Sequence, residues 1–158
     1  MTTVTLNNNS SMPLLGLGTW KSSRKRVYQA VRCAIAAGYR HIDCAAIYGN
    51  EKEVGSALHD AIQAGDVTRE DMWITSKLWN DAHATEAVPA ALQTTLNDLQ
   101  LEYLDLYLMH WPVAMKVLPS YKVPLRGEDF IALDDLPLID TWCAMEQQVQ
   151  RQLVRTIG

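Results

Sequence analysis

The sequence predicts an α/β fold made of repeated strand–helix units. Three apolar, strand-like runs end at the ionisable residues Asp43, Lys77 and His110, which lie 34 and 33 positions apart. A period of this length accommodates one β-strand, one helix and two loops. Because strands in such repeats run parallel, their carboxyl ends meet at one edge of the sheet, where α/β folds place their chemistry. We therefore expect an acid, an amine and an imidazole to meet at one site.

Composition limits the class of protein. The chain has 158 residues, of which 48% are hydrophobic, so it can bury one sizeable core. Its net charge of −4 and the short basic run at 24–26 argue against a nucleic-acid partner. We find no apolar stretch of the ~20 residues that a membrane helix needs, and the polar N-terminus lacks a secretory signal.

The cysteines and the remaining histidines suggest no metal site. The chain has an odd number of cysteines, Cys33, Cys44 and Cys143, and they lack CxxC spacing. We therefore interpret them as reduced thiols in a cytoplasmic protein, and we expect each to fill a small position in the core. We interpret His59 and His83 as ordinary surface residues and His41 as the start of a strand. No metal-ligand spacing connects the three.

The first strands are expected near the N-terminus. Residues 4–6 and 12–15 are predicted to form a short hairpin, with a turn rich in Asn and Ser between them. Residues 15–20 follow as the first strand of the parallel sheet. Gly16 and Gly18 would allow close approach of backbone or ligand there.

Four amphipathic helices follow from cap residues and apolar periodicity. The first should begin near Ser22–Ser23 and end at Gly38, and the second should lie between Asn50 and Gly65. The third is predicted over about 85–99, with Pro89 in its first turn, and the fourth over about 138–153.

The segment 112–137 interrupts this rhythm. It has 26 residues and contains four of the six prolines, Pro112, Pro119, Pro124 and Pro137. Long loops in compact domains are usually lids or binding loops, and this one follows the strand that ends at His110. We expect it to cover the site, although an inert surface insertion is the alternative.

A fifth strand is predicted to start at Thr156, two residues before the last residue given. Four parallel strands could form an open sandwich. In that arrangement, however, both ends of the sheet would be bare apolar edges.

Three segments carry a family resemblance: residues 38–55 around Asp43, the run 75–79 (TSKLW) and the run 108–112 (LMHWP). Together they resemble characteristic segments of the aldo-keto reductases, which reduce aldehydes and ketones with NADPH on a (β/α)8 barrel of the TIM-barrel type. The resemblance covers residues 12–158, so residues 1–158 are expected to be the N-terminal half of such a barrel. The family's first signature is matched at Gly38, Arg40, Asp43, Ala45, Glu51, Val54 and Gly55.

The resemblance implies a catalytic tetrad of Asp43, Tyr48, Lys77 and His110. A phenol with an ordinary pKa near ~10 is a weak acid at neutral pH, and a neighbouring ammonium favours its deprotonated form. Tyr48 is thus expected to donate the proton, Lys77 to supply the cation, Asp43 to hold Lys77, and His110 to orient the carbonyl. Each residue alone could be a solvated residue, a structural ion pair or a core histidine; their joint occurrence at successive strand ends favours catalysis.

Three tryptophans lie near the same strand ends. Trp20, Trp79 and Trp111 are expected to form a substrate wall for an apolar or aromatic carbonyl compound, with Ile47 and Tyr121 adding to it. Core packing is the alternative for these indoles.

The resemblance implies NADP(H) as cofactor, held here by Gly18, Thr19, Trp20, Asp43, Lys77 and His110. The family's Ser-Asn pair, its later Gln, its stacking aromatic and its basic phosphate loop are expected to lie outside these 158 residues. The sequence has no Gly-x-Gly-x-x-Gly motif. We therefore expect either half of a reductase, inactive alone and prone to self-association through open edges, or a non-catalytic half-barrel that binds or scaffolds.

Overall fold

The computed structural model describes residues 2–118, 123 and 126–158. Its strands are β1 (Thr3–Thr5), β2 (Ser11–Pro13), β3 (Leu17–Gly18), β4 (His41–Asp43), β5 (Trp73–Leu78), β6 (Leu104–Met109), β7 (Ala114–Met115), β8 (Phe130–Ile131) and β9 (Val154–Ile157). Its helices are α1 (Arg24–Ala36), α2 (Glu51–Gln63), α3 (Val88–Leu99) and α4 (Leu138–Gln150), with 3₁₀ turns at Ala46–Tyr48, Asn80–Ala82 and Gly127–Asp129.

Five parallel strands form the central sheet, in the order β3-β4-β5-β6-β9. Every residue of β5 is buried, which is typical of a strand covered on both faces. Helices alternate with these strands along the chain, so the predicted strand–helix repeat is confirmed. This order is that of the first half of a (β/α)8 barrel.

The helix boundaries follow the predicted cap residues. Gly38 and Gly65 stand just beyond α1 and α2 with φ of 93° and 76°, a left-handed conformation that glycine adopts without strain. The buried face of α1 is the predicted apolar stripe, which includes Val27 and Val31. The helix spacing read from the sequence is therefore confirmed.

Gly55 lets α2 and α3 approach closely. A Cβ atom on Gly55 would stand 2.4 Å from the backbone oxygen of Asp98 and 2.6 Å from the carbonyl carbon of Leu99. Such distances leave no space for any side chain, so the helix pair requires glycine at this position.

Glu51 is a buried acid between three elements. It is the first residue of α2 and is 4% exposed. The hydroxyl of Ser76 on β5 donates to its Oε1 at 2.6 Å, and that of Thr95 on α3 donates to its Oε2 at 3.2 Å. Burial raises the pKa of Glu51 from 4.5 to about 7, against the opposing effect of these two hydrogen bonds.

The segment 112–137 contains a hairpin that the sequence analysis missed. Strands β7 and β8 pair antiparallel there, with Ala114 opposite Ile131. Two-residue strands are too short to show the alternation by which strands are recognised. Several predicted boundaries also shift: α3 begins at Val88 rather than 85, α4 ends at Gln150 rather than 153, β9 begins at Val154 rather than Thr156, and β3 is limited to Leu17–Gly18 rather than 15–20.

Three side-chain predictions were wrong. Cys33 and Cys143 are exposed, and only Cys44 is buried. Cys33 follows the core residue Val31 by two positions, which places it on the opposite face of α1. His83, expected at the surface, is 1% exposed, and the hydroxyl of Thr141 on α4 donates to its backbone oxygen at 2.8 Å.

None of the helices among the described residues is both long and apolar enough to cross a lipid bilayer.

The raised pKa of Glu51 predicts a dependence of stability on pH. A carboxyl whose pKa is higher in the folded chain stabilises the fold fully below pH 4.5, and this contribution is lost as the pH rises through about 7. Glu51→Gln cannot ionise, so its free energy of unfolding does not fall with pH for this reason. Between these limits the free energy of unfolding of the original chain should therefore fall by roughly 3 kcal/mol relative to that of Glu51→Gln. Urea melts across the pH range measure the difference; parallel curves for the two proteins would contradict this account.

Candidate active site

The carboxyl ends of the parallel strands bring the predicted ionisable residues together, at an end of the sheet that we call the rim. Asp43 is the last residue of β4, Lys77 is the penultimate residue of β5, and His110 directly follows β6. Tyr48 ends the 3₁₀ turn that follows β4. The structure therefore places all four predicted residues at the rim.

Lys77 is the centre of this group. It is 9% exposed, and its Nζ donates to Asp43 Oδ1 at 2.6 Å and to the backbone oxygen of Cys44 at 2.7 Å. The same Nζ lies 3.5 Å from the hydroxyl oxygen of Tyr48. Two of the three N–H donors of this buried ammonium are bound by a carboxylate and a carbonyl. The third is left to point toward the phenol.

His110 packs edge-on against the rings of Tyr48, Trp79 and Trp111. Its ring centroid lies 5.7 Å from that of Tyr48, at an interplanar angle of 80°, and 5.1 Å from that of Trp79, at 78°. Burial is the main cause that lowers the pKa of His110, and the charge of Lys77 lowers it further. The imidazole is therefore neutral near pH 7 and retains one ring N–H donor.

The loop between β3 and α1 borders the rim. The backbone N–H and the hydroxyl of Thr19 both donate to the backbone oxygen of Asp43 at 3.0 Å. Trp20 is 66% exposed, and its ring centroid lies 6.5 Å from that of Tyr48. A Cβ atom on Gly18, the last residue of β3, would meet nothing within 4 Å, so open space lies beside the strand end that precedes this loop.

The predicted substrate wall is present in part. Trp111 is 40% exposed and packs against Trp79, with ring centroids 5.2 Å apart. Trp79 itself is only 6% exposed, so its ring also contributes to core packing, which was the alternative interpretation of these indoles. Ile47 is half-buried beside Tyr48. Tyr121 lies outside the described residues.

Asn50 was interpreted only as the residue before the second helix, and its further contacts were missed. Its side chain does not cap α2. Instead, Nδ2 donates to the backbone oxygens of Thr19 and Ser22, both at 3.0 Å. Asn50 binds backbone atoms 28 and 31 positions away, and no sequence pattern predicts such contacts. Glu51, by contrast, could have been noted as an acid within an otherwise buried stripe.

The described part of the chain has no group of three or more His, Cys, Asp or Glu side chains that could hold a metal ion. The charged groups at the rim instead form one close ion pair, between Lys77 and Asp43.

Comparison with known proteins agrees with this geometry. A family model described as the aldo/keto reductase family matches residues 14–158. The chain is 51% identical over 153 residues to aldo/keto reductase slr0942 of Synechocystis sp., covering 97% of this chain and 46% of that protein. It is 50% identical over 156 residues to human aldo-keto reductase family 1 member A1, covering 98% and 48% respectively.

Solved structures show the same likeness. The aldose reductase from Schistosoma japonicum superposes with a TM-score of 0.90 and 46% identity, over 100% of this chain and 52% of that one. An aldo-keto reductase from Bombyx mori in complex with NADP superposes with a TM-score of 0.86 and 41% identity, over 99% and 49%.

The chain thus spans about half the length of the curated relatives that it matches. The family model covers nearly all of it, and the fold and the strand order agree with that match. On these grounds the chain belongs to the aldo/keto reductase family.

Proposed function

We propose that the rim is the acid–base part of a site that reduces aldehydes and ketones to alcohols with NADPH. The observation that carries the proposal is the position of Lys77, whose ammonium is held by Asp43 and the Cys44 oxygen while it lies 3.5 Å from the Tyr48 hydroxyl. Reduction of a carbonyl needs hydride at carbon and a proton at oxygen. In this proposal Tyr48 gives that proton.

Lys77 stabilises the charge that proton transfer leaves at Tyr48. The phenolate that forms would have its oxygen 3.5 Å from the Lys77 ammonium, and opposite charges at this distance attract in a partly buried site. Asp43 holds the ammonium in this direction through its 2.6 Å bond. Asp43 and Lys77 therefore act on the proton through Tyr48.

His110 orients the carbonyl group. A neutral imidazole can donate one N–H bond to the carbonyl oxygen without competing as a second acid of similar strength. Its lowered pKa keeps it in that form at neutral pH. The edge-on packing against Tyr48 and Trp79 holds the ring in place.

The residues present fit the nicotinamide end of NADP(H). Open space lies at Gly18, and the buried Nδ1 of His110 has no partner within the described ranges. When bound, NADPH supplies the hydride. Gly18, Thr19 and Trp20 would border it on one side, and the ion pair of Asp43 and Lys77 with His110 on the other. The Bombyx mori relative, solved with NADP, supports this choice of cofactor.

The substrate is proposed to be an apolar or aromatic carbonyl compound. The exposed indoles of Trp20 and Trp111 give flat apolar surface beside Tyr48, and Trp79 supports Trp111 from below. Ile47 and Tyr121 complete the proposed wall. Such a wall suits an aldehyde reductase.

We further propose that these 158 residues do not turn over substrate alone, and that they associate with one another in the cytoplasm. Strands β3 and β9 are the two edges of the described sheet, and an unpaired edge is a template for pairing with another chain. The three cysteines are free thiols, which suits a reducing compartment.

Tyr48→Phe tests the proton donor. To complete the barrel, residues 1–158 are fused to the second half of human aldo-keto reductase family 1 member A1; we call this protein the chimaera. Tyr48→Phe in the chimaera should lower the rate of aldehyde reduction by about 10²–10⁴-fold, because it removes the general acid. Affinity for NADPH, measured by fluorescence, should change little.

Tyr28→Phe is the matched control, since the Tyr28 hydroxyl bonds to Asp60 on the helix surface, away from the rim. Turnover that survives Tyr48→Phe would overturn the assignment.

Light scattering tests the open edges. The average mass of the 158-residue chain should rise with its concentration, because exposed strand edges pair between chains. A monodisperse monomer with one cooperative urea transition at all concentrations would refute the proposal. Such a monomer, together with an inactive chimaera, would favour the non-catalytic half-barrel.

A further inference from the structure

Tyr48 does not stand on a strand. It ends the short turn Ala46–Tyr48, in which all three residues are half-buried and none is part of the core. Lys77, by contrast, stands on a fully buried strand. The distance between the two groups therefore depends on what fixes the segment that carries Tyr48.

Glu51 fixes this segment to the strand of Lys77. Only Gly49 and Asn50 separate it from Tyr48. Its carboxyl accepts hydrogen bonds from Ser76, the residue before Lys77 on β5, at 2.6 Å and from Thr95 on α3 at 3.2 Å. Because side chains alternate along a strand, Ser76 faces the helices while Lys77 faces the rim. Glu51 thus holds β5 from the helix side and does not touch a substrate at the rim.

Asn50 fixes the same segment to the β3–α1 loop. It is 1% exposed, and its Nδ2 donates to the backbone oxygens of Thr19 and Ser22, which flank Trp20. Its Oδ1 has no partner in the residues described, so the Nδ2 group alone makes these bonds. The adjacent residues Asn50 and Glu51 thus bind two different elements: Asn50 binds the β3–α1 loop, and Glu51 binds β5 from the helix side.

We propose that Asn50 and Glu51 form a clamp that sets the position of Tyr48 relative to Lys77 and to the β3–α1 loop. Both are positioning residues that act through Tyr48, and the inference rests on the proposed function in giving Tyr48 the proton. Buried hydrogen bonds suit this role, because a buried group that loses its partner has no water to replace it.

Geometry and charge can be separated at Glu51. Glu51→Gln keeps an oxygen that accepts from Ser76 and gains an amide that can donate to the Thr95 hydroxyl, so it keeps the clamp without the charge. Glu51→Ala removes both bonds. Rescue by Gln therefore identifies positioning by hydrogen bonds.

The test uses the 158-residue chain labelled with 3-fluorotyrosine and followed by fluorine NMR. The chain has six tyrosines, and the Tyr48 resonance is the one that Tyr48→Phe removes. In the original chain, Lys77→Met should shift the Tyr48 resonance, because it removes the neighbouring ammonium. Glu51→Ala should move the resonance toward its position in urea, and adding Lys77→Met to Glu51→Ala should then cause no further shift. Glu51→Gln should preserve both its position and its response. The control is Glu53→Ala, in the same first turn of α2.

A folded Glu51→Ala chain with an unchanged Tyr48 resonance would overturn the clamp. Should that variant fail to fold, Ser76→Ala and Thr95→Val each remove one partner. Ser76→Ala, which loses the shorter bond, should shift the resonance more than Thr95→Val. A shift in neither variant would also overturn the proposal.

Activity gives a second readout in the chimaera. A small misplacement of a catalytic group lowers rate strongly, so Glu51→Ala should reduce kcat by about 10- to 100-fold with little change in KM for NADPH. Glu51→Gln should remain within about threefold of the original, and full kcat in Glu51→Ala would refute the clamp. If the chimaera is inactive throughout, the proposed function fails, whereas the fluorine resonance still decides the clamp.

Discussion

The ion pair between Lys77 and Asp43 is the interaction on which the rest of the rim depends. It spans neighbouring strands β4 and β5, at 2.6 Å, where the parallel register places Asp43 beside Thr75. A nearly buried ammonium must be paired, because burial of an unpaired charge costs several kcal/mol. The pair therefore restrains the register of the two strands, and it also directs a positive charge toward Tyr48. One interaction thus restrains the strand register and, in the proposed reaction, also places the charge that acts on Tyr48.

Helices α2 and α3, which pack behind β5, help to hold the strand that carries Lys77. Gly55 allows α3 to approach α2 closely, which places Thr95 within reach of Glu51. Glu51 then joins both helices to Ser76, one residue from Lys77. Thr19 and Asn50 connect the neighbouring loop by bonds to backbone oxygens. Helix packing, buried hydrogen bonds and strand register thus all restrain the elements that carry Lys77 and Tyr48.

Most of the fold could be predicted from local chemistry, because helix caps, glycine stops and strand-end spacing are written in consecutive residues. The positions of Asp43, Lys77 and His110 were predicted from strand-end spacing, whereas Tyr48 followed from family resemblance alone. Features that depend on distant neighbours could not be predicted: the burial of His83 beneath α4, the bonds of Asn50 to the β3–α1 loop, and the pairing of β7 with β8. The burial predicted for Cys33 and Cys143 fails for a simpler reason. A position within a helix does not show whether the residue lies on the buried or the exposed face of that helix, and both of these lie on the exposed face.

The central claim is that Asp43 and Lys77 act as one unit upon Tyr48. A double-mutant cycle on kcat in the chimaera tests this most directly, with Asp43→Asn, Lys77→Met and the combined variant. Residues that act as a unit give strongly non-additive losses, so the combined variant should be about as slow as Lys77→Met alone. A combined loss equal to the product of the two single losses, or full turnover in Lys77→Met, would contradict the account.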